Sequence, residues 1–164
     1  YLGSIIWQKM STTQTTGGAS IMGSYPFPRN GIVEYNYEHI LIFKKPGDPP
    51  RVDKKIKESS RIAKQEWFTY FNSPWTFTGK KQNGHIAQFP IELPRRLIKM
   101  FSFIGETVLD PFVGSGTTCI AAIKNRRKSI GIELNSKYIN LINKNIQNVI
   151  DKTGKHWRWE QSAG

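Results

Sequence analysis

The sequence predicts an α/β fold, a mostly parallel sheet with covering helices, and three observations carry that prediction. The second half alternates strand and helix: an apolar run over Glu106 to Phe112 that reads as a buried strand, a helix from Gly116 to about Asn125, a strand over Lys128 to Glu133 and a helix from Ser136 to about Lys152. A Gly-Ser-Gly bend, Gly114 to Gly116, separates the first strand from its helix. The strands are too far apart for hairpins, so they pair in parallel through helical crossovers.

In chain order, Leu2 to Lys9 reads as a strand, and "MSTTQTTGGASIMGSYPFPRNG" after it as a long polar loop. "IVEYNYEHILIFKK", from Ile32, is β-branched and aromatic and gives a second strand. Two strands joined by so long a loop point to a functional loop rather than a tight turn. The text then turns basic. Lys44 to Lys81 carries ten Lys and Arg against four Asp and Glu, half of the chain's net charge. Its Pro-rich start is a linker, and "DKKIKESSRIAKQEWFTYF" predicts one helix with Ile56, Ile62, Trp67 and Phe68 on one side. "HIAQFPIELPRRLIKMFSF" begins extended and becomes helical, with Pro94 in the first turn and Leu93, Leu97, Met100 and Phe101 at helical spacing. In the last helix Tyr138, Ile142, Ile146 and Val149 form the apolar stripe. The C-terminal "GKHWRWEQSAG" has no assignable pattern.

Composition narrows the partners. A chain of 164 residues with 38% hydrophobic residues can bury one real core. A formal charge of +12 favours a polyanion, of which nucleic acid is the commonest; a generally basic, solvated surface is the plainer alternative. Cys119 is the only cysteine, so no intrachain disulfide forms, and its Ile and Ala neighbours make it a core residue rather than a nucleophile. The three histidines lack ligand spacing, so no zinc site is expected. No apolar run reaches membrane-spanning length and no signal peptide is recognisable, which predicts a cytoplasmic protein without a membrane partner.

The bend after Val108–Asp110 lets a ligand approach the backbone. A phosphate loop needs G-x-x-x-x-G-K-[ST], and no Lys follows Gly116. A dinucleotide site wants a third glycine, and Cys119 stands there instead. An adenosyl ligand without pyrophosphate needs neither. It needs an acidic group for the ribose hydroxyls, and Glu133 ends the next strand where such a side chain reaches.

These residues carry a resemblance. "VLDPFVGSGTT" resembles motif I of the DNA amino-methyltransferases, which methylate adenine N6 or cytosine N4 with S-adenosylmethionine. "HIAQFPIELPRRLIKMFSFIGE" resembles their motif X and "GIELNSKY" their motif II, in the block order of the beta class. "IIWQK" and "EYNYEHILIFKK" are similar to the strands of motifs VII and VIII, and the basic segment lies where the class keeps its target-recognition region. The resemblance implies a Rossmann-like methyltransferase fold with one antiparallel strand, methylation of double-stranded DNA, and a restriction–modification setting. It divides the chain into catalytic-half strands over 1–43, a target-recognition segment over 44–81, a cofactor half over 82–152 and a tail over 153–164. Carried over by position, Asp110, Phe112, Gly114, Ser115, Gly116 and Thr117 would surround the methionine end of the cofactor. His85, Ile86 and Ala87 would add to it from motif X; Glu133 would bind the ribose, with Leu134 and Asn135 near the adenine. Lys54, Lys55, Lys57 and Arg61 are the leading phosphate contacts. "H-x-A-x-F-P" is more similar to cytosine-N4 than to adenine-N6 members.

The family's catalytic turn, (D/N/S)-P-P-(Y/F/W), is not found. "NSPWTF" has one proline and lies directly before motif X, which reads as a structural Trp in a turn. "GDPPR" places Arg51 where base stacking needs an aromatic ring. In the beta class this turn precedes motif VII, and the chain opens at Tyr1 inside a strand-like run. The expectation is therefore a C-terminal portion whose catalytic half is upstream, in the same polypeptide or a separate chain. Val108's strand would lack a neighbour on one side, a gap that a rearranged homodimer could also fill. Two other readings share the Gly bend and Glu133: methylation of RNA or a small molecule, and a non-catalytic DNA- or cofactor-binding fragment. The basic segment and motif order speak against the first, and a catalytic turn upstream would exclude the second.

Overall fold

The structure, a computed structural model, describes residues 1–10, 36–79 and 89–153. The chain divides into two compact units, Tyr1–Pro90 and Ile91–Gly164. Among the described residues no helix is long and apolar enough to cross a membrane.

The first unit is built on a three-stranded sheet of order β2-β1-β3, from β1 (Gly3–Met10), β2 (Tyr37–Ile42) and β3 (Trp75–Thr78). β1 and β2 are antiparallel, with Gly3 opposite Ile42 and Gln8 opposite Tyr37. β3 runs parallel to β1, with Trp7 opposite Trp75. Strand alternation sends Ile5 and Trp7 to one face, and both are buried. Trp7 stacks on Phe77 with centroids 5.2 Å apart, and its indole N–H donates to the Phe77 carbonyl at 3.2 Å. β3 is an element the sequence did not reveal. Within "NSPWTF" Asn72 and Ser73 form a bend and the strand begins only at Trp75, which is structural as expected: it is buried and its indole N–H donates to the Tyr70 carbonyl at 3.0 Å.

The single helix expected over Asp53–Phe71 is two, α1 (Lys54–Ser59) and α2 (Lys64–Tyr70). The break has a local cause. Asp53 caps α1, accepting the Lys55 N–H at 2.7 Å, and the Ser59 and Ser60 hydroxyls bond back to the carbonyls of Lys55 and Ile56. The last turn tightens, with Ser60 N–H shared between Ile56 and Lys57, and Ala63 is extended at φ −59°, ψ 146°.

The second unit holds α3 (Glu92–Phe101), β4 (Thr107–Asp110), α4 (Thr117–Lys124), β5 (Lys128–Gly131) and α5 (Ser136–Thr153). Pro94 lies in the first turn of α3, where it has no hydrogen bond to lose. The buried face of α3 is set one residue on from the expected stripe: Pro94 and Ile98 are buried while Phe101 is exposed. Ile98 packs with Ala121 and Ala122 of α4, and Val108 of β4 joins them. Arg127 ties the helix ends together, donating to the Ser102 hydroxyl and carbonyl and to the Asn125 carbonyl.

β4 and β5 pair in parallel, Thr107 opposite Lys128 and Asp110 opposite Gly131, as the strand–helix alternation requires. Pairing runs one step past the strands, since Ile132 N–H donates to Asp110 O at 2.9 Å and Val113 N–H to Ile132 O at 3.0 Å. The buried strand expected over Glu106–Phe112 is open on one face: Leu109 is 60% exposed, and Ile130 of the paired β5 54%. Among the described residues only the Val108 face carries helices, and β4 is paired along one edge alone.

Candidate cofactor site at the strand ends

The site begins with two glycines that have separate physical reasons. Gly116 caps α4 at φ 84°, a left-handed conformation that other residues adopt at a cost, and Ile142 of α5 closes the space beneath it. Gly131 is required by closeness rather than by angle. A Cβ there would meet Val113 Cγ2 at 2.9 Å and Cys119 Sγ at 3.1 Å. The third loop glycine of a dinucleotide site allows helix and strand to approach; here Cys119 stands on the helix, and Gly131 on the strand leaves the room.

Around the loop, side chains fix the backbone. The Asp110 carboxylate accepts the Phe112 N–H at 2.9 Å, turning the chain out of β4. Glu133 bridges the two strand ends: one carboxylate oxygen accepts the Gly114 N–H at 3.0 Å and the other the Asn135 N–H at 2.8 Å. Asn135 in turn caps α5, its side-chain oxygen accepting the Lys137 N–H at 3.0 Å. The Ser115 hydroxyl is buried with Thr117 Oγ1 at 3.1 Å. Asn145, from α5, donates to the Ser115 carbonyl at 3.0 Å. α4 begins with neither a side-chain cap nor an acidic residue in its first turn, so the positive end of its dipole faces the loop.

The structure thus brings Asp110, Phe112, Gly114, Ser115, Gly116, Thr117, Glu133, Leu134 and Asn135 into two adjoining loops at the carboxyl ends of paired strands. That is where open α/β sheets bind ligands. Phe112 and Leu134 are 88% and 101% exposed, apolar surfaces at the mouth of the site left uncovered among the described residues. His85, Ile86 and Ala87 lie outside the described residues. Lys54, Lys55, Lys57 and Arg61 belong to the first unit, on and just after α1. The sequence reading missed Asn145 and Gly131. Asn145 sits beside the buried stripe of α5, one position before Ile146, and a polar residue bordering a stripe was the available signal.

A family model described as DNA methylase, of the N6/N4 methyltransferase type, matches residues 1–144. The type II methyltransferase M.MjaI of Methanocaldococcus jannaschii is 40% identical over 87% of this chain and 48% of its own length. The type II methyltransferase M.BglI of Bacillus subtilis is 42% identical over 68% of this chain and 31% of its own. The chain thus spans about half or less of the length of these curated relatives. TTHA0409 of Thermus thermophilus, assigned as a DNA modification methylase and solved in complex with S-adenosyl-L-methionine, superposes with a TM-score of 0.71 at 33% identity. The match covers 91% of this chain and 54% of that one. The fold is that of the Rossmann-like methyltransferases.

Proposed function

Since this chain belongs to the N6/N4 DNA methylase family, we propose that it is the cofactor-binding and target-contacting portion of a DNA methyltransferase. The reaction moves the methyl group of S-adenosylmethionine to an exocyclic base amine, with cytosine N4 preferred over adenine N6. The observation that carries the reading is Glu133, a carboxylate bonded to Gly114 N–H and Asn135 N–H across the ends of two parallel strands. The residues fit the cofactor. Glu133 keeps acceptor capacity for ribose hydroxyls, Leu134 offers apolar surface to adenine, and Asp110 places a negative charge near the cationic methionine end. Gly114 and Gly116 leave the backbone open to approach. Bound there, the sulfonium supplies an electrophilic methyl group.

This chain's residues bind and orient; the turn that handles the amine is absent from its sequence. A segment upstream of motif VII supplies it, along with a strand for the open edge of β4 and cover for Leu109, Ile130 and Ile132. The support is that, among the described residues, β4 is paired along one edge and the sheet has an exposed apolar face, together with the half-length coverage of the curated relatives. The cytosine preference rests on the His85-Ile86-Ala87-Gln88-Phe89-Pro90 run.

The test uses the complete protein, labelled S-adenosylmethionine and duplex DNA, with the modified nucleoside identified after digestion. N4-methylcytosine in DNA is the expected product, and Asp110→Ala and Glu133→Ala should lose cofactor binding in calorimetry. Cofactor binding without transfer to either base amine, or normal binding by both variants, overturns the assignment.

A further inference from the structure

Among the described residues the outer face of α2 stays largely exposed. The inner face is accounted for: Tyr70 is buried, its hydroxyl donates to Glu66 Oε1 at 2.7 Å, and its carbonyl accepts the Trp75 indole N–H. On the other side Trp67 is 49% and Phe68 64% exposed. Phe71 stacks on Trp67 with centroids 4.2 Å apart and 22° between the planes. Two large rings held out to solvent within one short helix, one of them braced by a third, form a surface built to be covered.

The surrounding charge says by what. Glu66 is turned to Tyr70, and Glu58 is paired with Arg61 at 2.9 Å. What remains on the two helices is cationic: Lys54, Lys55, Lys57 and Lys64 are exposed, with no acidic partner among the described residues. Protein interfaces are depleted in lysine, and a second copy would set like charges against each other. Nucleic-acid interfaces combine this composition: cations on phosphates, and aromatic faces on bases or wedged at base steps. An enzyme acting on a base amine must also take that base out of the stack, which opens bases to such contact.

We propose that the outer face of α2 contacts the bases of the DNA substrate, Trp67 and Phe68 laying their rings against them while Lys54, Lys57 and Lys64 hold the adjoining phosphates. The inference rests on the methyltransferase reading and adds the residues that touch bases rather than backbone.

The experiment compares the complete wild-type protein with Trp67→Ala/Phe68→Ala, Trp67→Phe and Lys54→Gln/Lys57→Gln. Affinity for fluorescent duplexes cut from a plasmid that the wild type methylates is measured across a salt series. The double aromatic variant should bind about tenfold or more weakly, with its log-log salt slope, cofactor affinity and unfolding midpoint unchanged. Trp67→Phe should keep most of the affinity, since a ring remains. The lysine variant should instead flatten the slope by roughly 0.9 for each phosphate that it no longer neutralises. Wild-type DNA affinity in Trp67→Ala/Phe68→Ala overturns the inference and leaves the methyltransferase reading intact. Loss of self-association in that variant also overturns it, assigning the face to a second copy. A wild-type protein that neither binds nor methylates DNA overturns both.

Discussion

Gly131→Ala tests how the cofactor loop is held, and its effect can be worked from three distances. The new methyl carbon would lie 2.9 Å from Val113 Cγ2, 3.0 Å from Val113 Cβ and 3.1 Å from Cys119 Sγ. All three neighbours are in the packed interior of the second unit, so relief requires moving the loop or the start of α4. Over-packing of this kind costs about 1–3 kcal/mol. Val113 cannot retreat freely, because its N–H is bonded to Ile132 O at 3.0 Å, and the next N–H, of Gly114, is the one held by Glu133. The strain is therefore passed to the site, and S-adenosylmethionine affinity should fall about tenfold, the equivalent of about 1.4 kcal/mol. Urea unfolding and calorimetric titration of the complete protein read the two effects. Cys119→Ala placed in the Gly131→Ala background should recover part of the loss by removing one of the clashing atoms. The same rescue should fail for Gly116→Ala, where the nearest atom is 3.4 Å away and the cost is the positive φ, about 1–2 kcal/mol. A Gly131→Ala protein with wild-type midpoint and affinity would refute the close-approach argument.

Asn145→Ala removes the donor to the Ser115 carbonyl and should cost about 1 kcal/mol, weakening cofactor binding severalfold while the KM for DNA stays put; Asn145→Asp, which cannot donate, should behave alike. Glu92 responds to acid. Burial raises its carboxyl, but hydrogen bonds from Arg95 and Arg96 outweigh that and hold it below its ordinary value. The stability it contributes is therefore present above the unfolded pKa of about 4.3 and is lost as pH falls through the lower folded value. Urea midpoints between neutral and acid pH should show that loss in the wild type and a reduced one in Glu92→Gln.

The strand–bend–helix–strand–helix run was legible because each element is local: the apolar runs, the Gly bend and the stripe of Ile142 and Ile146 each sit within one window of sequence. So was the clustering of Asp110 and Glu133, which follows once the two strands are parallel. β3 was not legible. It is four residues long, follows a proline, and exists by pairing with β1, whose Trp7 is far away in the sequence. The interruption between α1 and α2 depends on which way the Ser59 and Ser60 hydroxyls turn, and the helical pattern does not encode that. Exposure of Leu109 and Ile130 could not be read either, since an apolar strand looks the same whether or not its second face is covered.

The arrangement at Gly131 also determines what the chain's single thiol can do. Cys119 is fully buried beneath β5, and burial pushes its thiol pKa up, so neither access nor ionisation favours reaction in the folded state. A thiol reagent must wait for α4 to lift from the strand. The rate of Cys119 modification is then a clock for that opening, readable without adding a label anywhere else. A ligand that clamps the loop should slow the clock in proportion to its occupancy, so the one cysteine can report binding at a site it does not touch.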